Sequence, residues 1–296
     1  MAKLEAKSAL KFLFKIALSA LAIYLVFSKI ELKEVWSLVR QSNPVYLAGA
    51  ILFFNLSKWI SARRLLILFQ SIGVRISTSY NLRLYYIGMF YNLFLPGGIG
   101  GDGYKIFHLN KKSDASKREL LSAVLLDRIS GAALLTFLAL AIASFQGSIL
   151  ELFPSFWTYL IFIGTIAALP ALWLLIRLAF AKFRSATFSA IHYSFWVQLA
   201  QLACAFCILS AYGVDQNFAI YFVLFLVSSI AAMLPISFGG VGLRELVFLY
   251  ASRELPIDET AAVALGLVFF LITALSSFIG VFLRLPENHL QNKEAI

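Results

Sequence analysis

Charge is what this sequence has least of. Only 14% of its 296 residues are Asp, Glu, Lys or Arg, against roughly one quarter in an ordinary soluble domain, while 61% are hydrophobic. A water-soluble globule of that composition could not cover itself with polar groups, so the soluble classes fall away. Cysteine is nearly absent, with two in the chain, which excludes a disulfide framework. Those two, Cys204 and Cys207, form C-x-x-C inside an apolar run, where they read as small buried residues rather than a redox or metal pair. Three histidines without metal-ligand spacing offer no metal centre. The G-x-x-x-x-G-K-[ST] loop is missing, so the chain does not drive itself with ATP. Nothing in these residues implies a metal or another cofactor.

What the sequence has instead is a series of apolar runs, each long enough for a hydrocarbon layer about 30 Å thick. The class is an all-α polytopic membrane protein. Its net charge of +10 comes from Lys and Arg gathered at the ends of the runs, as the positive-inside rule expects of cytoplasmic loops. That placement points to topology and anionic lipid headgroups, not to nucleic acid.

Lys3, Lys7, Lys11 and Lys15 precede an apolar stretch ending near Phe27. No small-x-small cleavage site follows, so this is read as a first span rather than a signal peptide. A second span, Pro44 to about Ile60, returns and ends at Arg63 and Arg64. Further spans are expected over Glu119 to Ala143, Trp157 to Ile176, Ser189 to Tyr212 and Thr260 to Leu283. Between them lie two hairpins, 80–110 and 218–254, each broken by Pro and Gly. If the first hairpin crossed completely, Lys111, Lys112, Lys117 and Arg118 would lie outside, against the charge rule. It is therefore expected to re-enter the same face.

The hairpin tips carry the most informative pattern. LPGGIGGDGYK, Leu95 to Lys105, recurs as LPISFGGVGLR, Leu234 to Arg244, at a constant offset of 139 residues. Pro96 answers Pro235, Gly100 and Gly101 answer Gly239 and Gly240, Gly103 answers Gly242, and Lys105 answers Arg244. Pro and clustered Gly stop a helix and let the backbone run irregularly; such breaks at matching places in two halves mark transport sites in membrane proteins. Close helix packing is the plainer use of the same glycines. The halves, 1–145 and 146–296, each hold an odd number of crossings, so the second is expected upside down relative to the first. The predicted architecture is two inverted-topology repeats in one membrane domain, with about six full spans and two re-entrant Gly-broken helical hairpins.

Each return limb begins a helix whose first amides lack intrahelical partners. Two such starts meeting from opposite faces would form a midplane pocket for phosphate or carboxylate. Lys105 and Arg244 lie near those starts as anion ligands, although Lys105 could also snorkel to the interface. Asp102 is either the cap of the first return helix or part of the site. Glu245 is an ionisable group within an apolar run, hence a partner for a cation or a proton carrier. Asp127 and Arg128, two turns into the third span, pair with the loops or neutralise their neighbours. Asn55, Lys58, Asn92, His192, Gln198 and Gln201 are weaker polar candidates.

Asn92-x-x-Leu95-Pro96 through Gly100-Gly101-Asp102, then Asp127-Arg128, then Leu234-Pro235 through Gly239-Gly240-x-Gly242-x-Arg244-Glu245 resemble the transmembrane region of lysylphosphatidylglycerol synthases, also called flippase-like proteins. The resemblance covers nearly the whole chain. It implies a membrane protein that moves or binds lipid. Carried over by position, it assigns the loop acid to Asp102, the span pair to Asp127 and Arg128, and the second-loop pair to Arg244 and Glu245. The large soluble domain that follows the membrane region in the synthases does not follow here, so synthesis of lysyl-lipid is not expected and the chain reads as no enzyme. The expected cargo is a phospholipid or lipid-linked saccharide in the cell membrane, with both termini cytoplasmic. The alternative is a membrane subunit that binds lipid and assists a glycosyltransferase or lipid-modifying enzyme.

Overall fold

The computed structural model describes residues 37, 40–93, 99–233 and 243–286, without the side chains at 243, 245, 246 and 249. Helices make up the architecture, and no strand occurs among the described residues. In chain order they are α1 (Pro44–Gln70), α2 (Thr78–Asn92), α3 (Gly100–Asn110), α4 (Lys117–Ala143), the single turn α5 (Gly147–Leu150), α6 (Ser155–Ala179), α7 (Thr187–Ala211), α8 (Phe218–Ala232), α9 (Leu243–Ala251) and α10 (Glu259–Phe282). A 3₁₀ turn, Ala181–Ala186, leads into α7.

Among the described residues, five stretches are long and apolar enough to cross a membrane: Pro44–Gln70, Lys117–Ala143, Ser155–Ala179, Ala181–Ala211 and Glu259–Phe282. They correspond to five of the six expected spans, and the chain is a multi-pass membrane protein. The expected N-terminal span lies outside the described residues. Between the long helices sit shorter ones, α2 and α8 with 15 residues each, α3 with 11 and α9 with 9.

Local chemistry sets the helix starts. Asn43 accepts the Val45 amide while Pro44 takes the first turn of α1, where its missing N–H costs nothing. Ser77 caps α2. Ser116 and Glu119 form a reciprocal capping box on α4, and Asp258 accepts the Ala261 amide at 2.7 Å to start α10. The turn before α8 is closed by Asn217 in the left-handed region, φ 58°, a conformation Asn tolerates better than most residues.

One expected boundary is wrong. Arg63 and Arg64 do not end the second span; α1 continues to Gln70. The charge of Arg64 is neutralised within the bundle and Arg63 donates to Thr78 Oγ1 at 3.1 Å, so neither forces the helix to stop.

α1 lies along α7 over the most extensive interface of the molecule, α4 packs on α8, and α10 packs on α2. The central core is aromatic: the Phe269 ring meets Phe54 and Phe225 edge-on at 5.5 and 4.8 Å, a geometry that aligns ring edge with ring face. Cys204 and Cys207 are free and buried in α7, as small packing residues would be. α6 is the outlying helix, its Trp157, Ile163, Ile166 and Leu178 exposed, as suits a surface facing lipid. Glycine matters most around α2. A Cβ on Gly101 would fall 1.9 Å from the Gly88 carbonyl oxygen, and one on Gly280 would fall 2.3 Å from that of Tyr86. α2 is thereby clamped, backbone to backbone, between α3 and α10.

Candidate functional site

Inside this bundle is a cavity of about 290 Å³. It draws its lining from eight helices. α1 contributes Lys58, Ser61 and Arg64; α2 Tyr85, Met89 and Asn92; α3 Asp102 and Lys105; α4 Asp127, Arg128, Gly131 and Leu135. The other wall is Val197, Gln198 and Gln201 of α7, Ser229 and Met233 at the end of α8, Arg244 of α9, and Phe269, Phe270 and Thr273 of α10. Six residues singled out from sequence, Asn92, Asp102, Lys105, Asp127, Arg128 and Arg244, thus reach one space although they are spread over more than half the chain.

The first break is organised by Asp102. Its Oδ1 receives Lys105 Nζ at 3.1 Å, and its Oδ2 receives Arg128 Nε. Asp102 is therefore not the cap of α3; the cap position is Ile99, which makes no side-chain bond. The free amide at that start is taken instead by Asn92, whose Oδ1 accepts the Gly101 N–H at 2.6 Å. Lys105 is 5% exposed and its ammonium lies 4.7 Å over the Tyr85 ring, so it does not snorkel. Gly101 itself is used in packing against Gly88, which bears out the plainer use of that glycine.

Asp127 turns the other way from its neighbour. Its carboxylate holds Arg64 Nε at 2.7 Å, while Arg64 Nη1 donates to Ser194 Oγ at 2.7 Å. This ties α1, α4 and α7 together, and Gly131, one turn beyond Asp127, lies beside the guanidinium. Arg64 was read only as a topology marker. The signal for it lay in the three-residue spacing Lys58, Ser61, Arg64, a polar row along α1 whose members all line the cavity.

The second break holds Arg244. Its Nη1 donates to Ser229 Oγ at 2.9 Å and Ser228 Oγ at 3.3 Å, and the guanidinium sits 5.0 Å from the Phe269 ring centroid and 5.8 Å from that of Phe225. Cation–π contact of this kind adds to hydrogen bonding when both are desolvated. Nothing in the sequence pattern pointed to Ser228 and Ser229. Pro96, Pro235, Gly239, Gly240 and Gly242 lie outside the described residues, as does the Glu245 side chain; Gly100 opens α3.

Of the weaker candidates, Lys58, Gln198 and Gln201 face the cavity. Asn55 serves structure, accepting from Tyr86 Oη and donating to Ser276 Oγ and the Ile51 carbonyl. His192 stacks against Phe188 and meets Tyr193 and Trp196 edge-on. Tyr91, Tyr104 and His108 stack in sequence, and His108 bonds Tyr80 Oη at 2.5 Å. Burial, with help from Lys112 and Lys111, holds the His108 pKa below its ordinary value. No group of three or more His, Cys, Asp or Glu that could hold a metal occurs among the described residues.

Among the described residues, five cations and two carboxylates line this one cavity between span-length helices, and charges of that kind are costly in hydrocarbon. The lysylphosphatidylglycerol synthase TM region family matches residues 12–280, nearly the whole chain. The chain belongs to that family. No curated protein matches it.

Proposed function

We propose that this member of the family holds the headgroup of a phospholipid or lipid-linked saccharide in the central cavity, between the two Gly-rich breaks, and carries it across the bilayer without catalysing a reaction. The observation that carries the reading is the convergence of Lys105 and Arg244, equivalent in the repeated motif, on one cavity in the bundle. A polar headgroup crossing hydrocarbon needs such a lined space, since no water is there to satisfy it.

The domain plan proposed with it is two inverted repeats, 1–145 and 146–296, each with a re-entrant hairpin. Helix lengths support this. α2 and α8, at about 1.5 Å per residue, rise only about 22 Å, short of the hydrocarbon thickness. Packing supports it too. Advancing by 139 residues carries α1, α2, α3 and α4 onto the regions of α7, α8, α9 and α10. Under that exchange the α4 to α8 contact becomes the α10 to α2 contact, and both occur. In this arrangement the N- and C-termini are cytoplasmic.

Single cysteines at Ser113 and Ser252, in a background lacking Cys204 and Cys207, should label from opposite sides of intact cells. Labelling from one side alone would remove the inverted plan. In proteoliposomes the protein should move labelled lipid, Arg244→Ala should remove most of that movement, and Arg244→Lys should keep part, because Lys cannot reproduce a bidentate guanidinium contact. Monodisperse elution of each variant separates loss of function from loss of fold. Lipid that co-purifies but never moves would instead favour the lipid-binding subunit that assists a glycosyltransferase or lipid-modifying enzyme.

A further inference from the structure

The charges around the cavity are not evenly compensated. Asp127 is engaged by Arg64, and Asp102 by Lys105 and Arg128. Lys58 is different. It lies midway along α1, faces the cavity, and its ammonium rests 4.5 Å over the Phe54 ring. Among the described residues it has neither a carboxylate partner nor a hydrogen bond. A lysine in the middle of a span with only a ring beneath it is a costly arrangement that a bound anion would relieve.

A second, independent group points into the same space. Gln198 is 3% exposed and lines the cavity. Its Nε2 donates to the Gly131 carbonyl at 3.3 Å, while its Oε1 has no partner. A buried acceptor without a donor carries a desolvation penalty. The missing donor must come from whatever fills the cavity.

Resting on the lipid-headgroup reading above, we infer that the cavity selects a net-anionic headgroup in which a phosphate is joined to a hydroxylated substituent, such as phosphoglycerol or a glycosyl phosphate, with Lys58 on the phosphate and Gln198 Oε1 on a hydroxyl. A headgroup bearing an added ammonium, as in a lysyl ester, is disfavoured. It would bring a further positive charge into a space where, among the described residues, cations outnumber carboxylates, and like charges at close range in a low-dielectric site repel strongly.

The test is binding of short-chain lipids to the full purified chain in detergent: phosphatidylglycerol, phosphatidic acid and lysylphosphatidylglycerol. Phosphatidylglycerol should bind more tightly than the lysyl lipid. Lys58→Gln should weaken phosphatidylglycerol and phosphatidic acid alike by about tenfold or more, the usual worth of a charge-assisted contact, and Lys58→Arg should restore most of it. Gln198→Leu should weaken phosphatidylglycerol and leave phosphatidic acid, which lacks the hydroxylated substituent, unchanged; a general packing defect would weaken both. Competition by soluble glycerol phosphate supports recognition of the headgroup rather than the acyl chains. Equal affinity for the lysyl lipid, or phosphatidylglycerol binding untouched by Lys58→Gln in a folded variant, overturns the inference. Proteoliposomes distinguish the two failures. Binding with the Lys58 signature but without lipid movement sinks transport and leaves the selectivity; movement of anionic and cationic headgroups at equal rates sinks the selectivity and leaves transport.

Discussion

The two broken hairpins use the same sequence pattern to hold their cations in different ways. In the first, Lys105 is fixed by Asp102, which also takes Arg128, and the helices around it are clamped by glycine: Gly101 on Gly88, and Gly280 on the Tyr86 carbonyl. In the second, Arg244 is held by the hydroxyls of Ser228 and Ser229 and by phenyl rings. The residues at matching register on that side are Val227 for Gly88 and Ala141 for Gly280. Among the described residues, the first hairpin shows backbone contact and charge pairing around its cation, and the second shows hydroxyl and ring contacts. The backbone contacts hold α2 firmly against α3 and α10.

The clamp gives the largest expected effect. Gly101→Ala places a methyl inside the Gly88 carbonyl, and because the obstacle is backbone the loss should reach or exceed about 3 kcal/mol, at the upper end for overpacking. Little folded protein should survive size-exclusion chromatography. Val227→Ala, at the position of the second hairpin that matches Gly88, the other side of this contact, and 40% exposed, should shift the melting temperature little. Comparable losses in the two variants would erase the contrast.

Next comes the pair that joins α1 to α4. Arg64→Met strands the Asp127 carboxylate and should cost about 3–5 kcal/mol. Adding Asp127→Leu should recover much of this in thermal melts. No recovery would mean that the pair does not act as a unit.

The smallest effect separates the two cations. In Lys105→Met, Asp102 still has Arg128, so the fold holds and lipid movement should fall less than in Arg244→Ala. A larger loss at Lys105 would reverse the assignment of the main ligand to the second hairpin.

Much of this was legible because hydrophobic runs of span length leave few alternatives. The five long helices follow the apolar runs, the motif repeat led to Lys105, Arg244 and Asp102, and the charged pair in the third span led to Arg128, all around one cavity. What misled was treating Arg63 and Arg64 as markers of the membrane boundary. Arg64 follows an apolar run as a loop cation would, and only its neutralisation by Asp127, remote in sequence, lets α1 continue. Asp102 misled for a related reason: an acid in the first turn looks like a cap, and its partner Arg128 lies a whole helix away. Ser228 and Ser229 carry no sequence signal, and Gln198 only a weak one, since Ser and Gln in spans usually bond locally or across packed helices.

The Arg64–Asp127 contact also bears on biogenesis. The two residues are 63 apart in sequence, so α1 leaves the ribosome well before the carboxylate that neutralises it exists. Arg64 lies six residues before the end of α1, near enough to reach the interface by snorkelling while it waits. α1 therefore settles at its final depth only once α4 is made, and the first half of the protein assembles as a cohort rather than helix by helix.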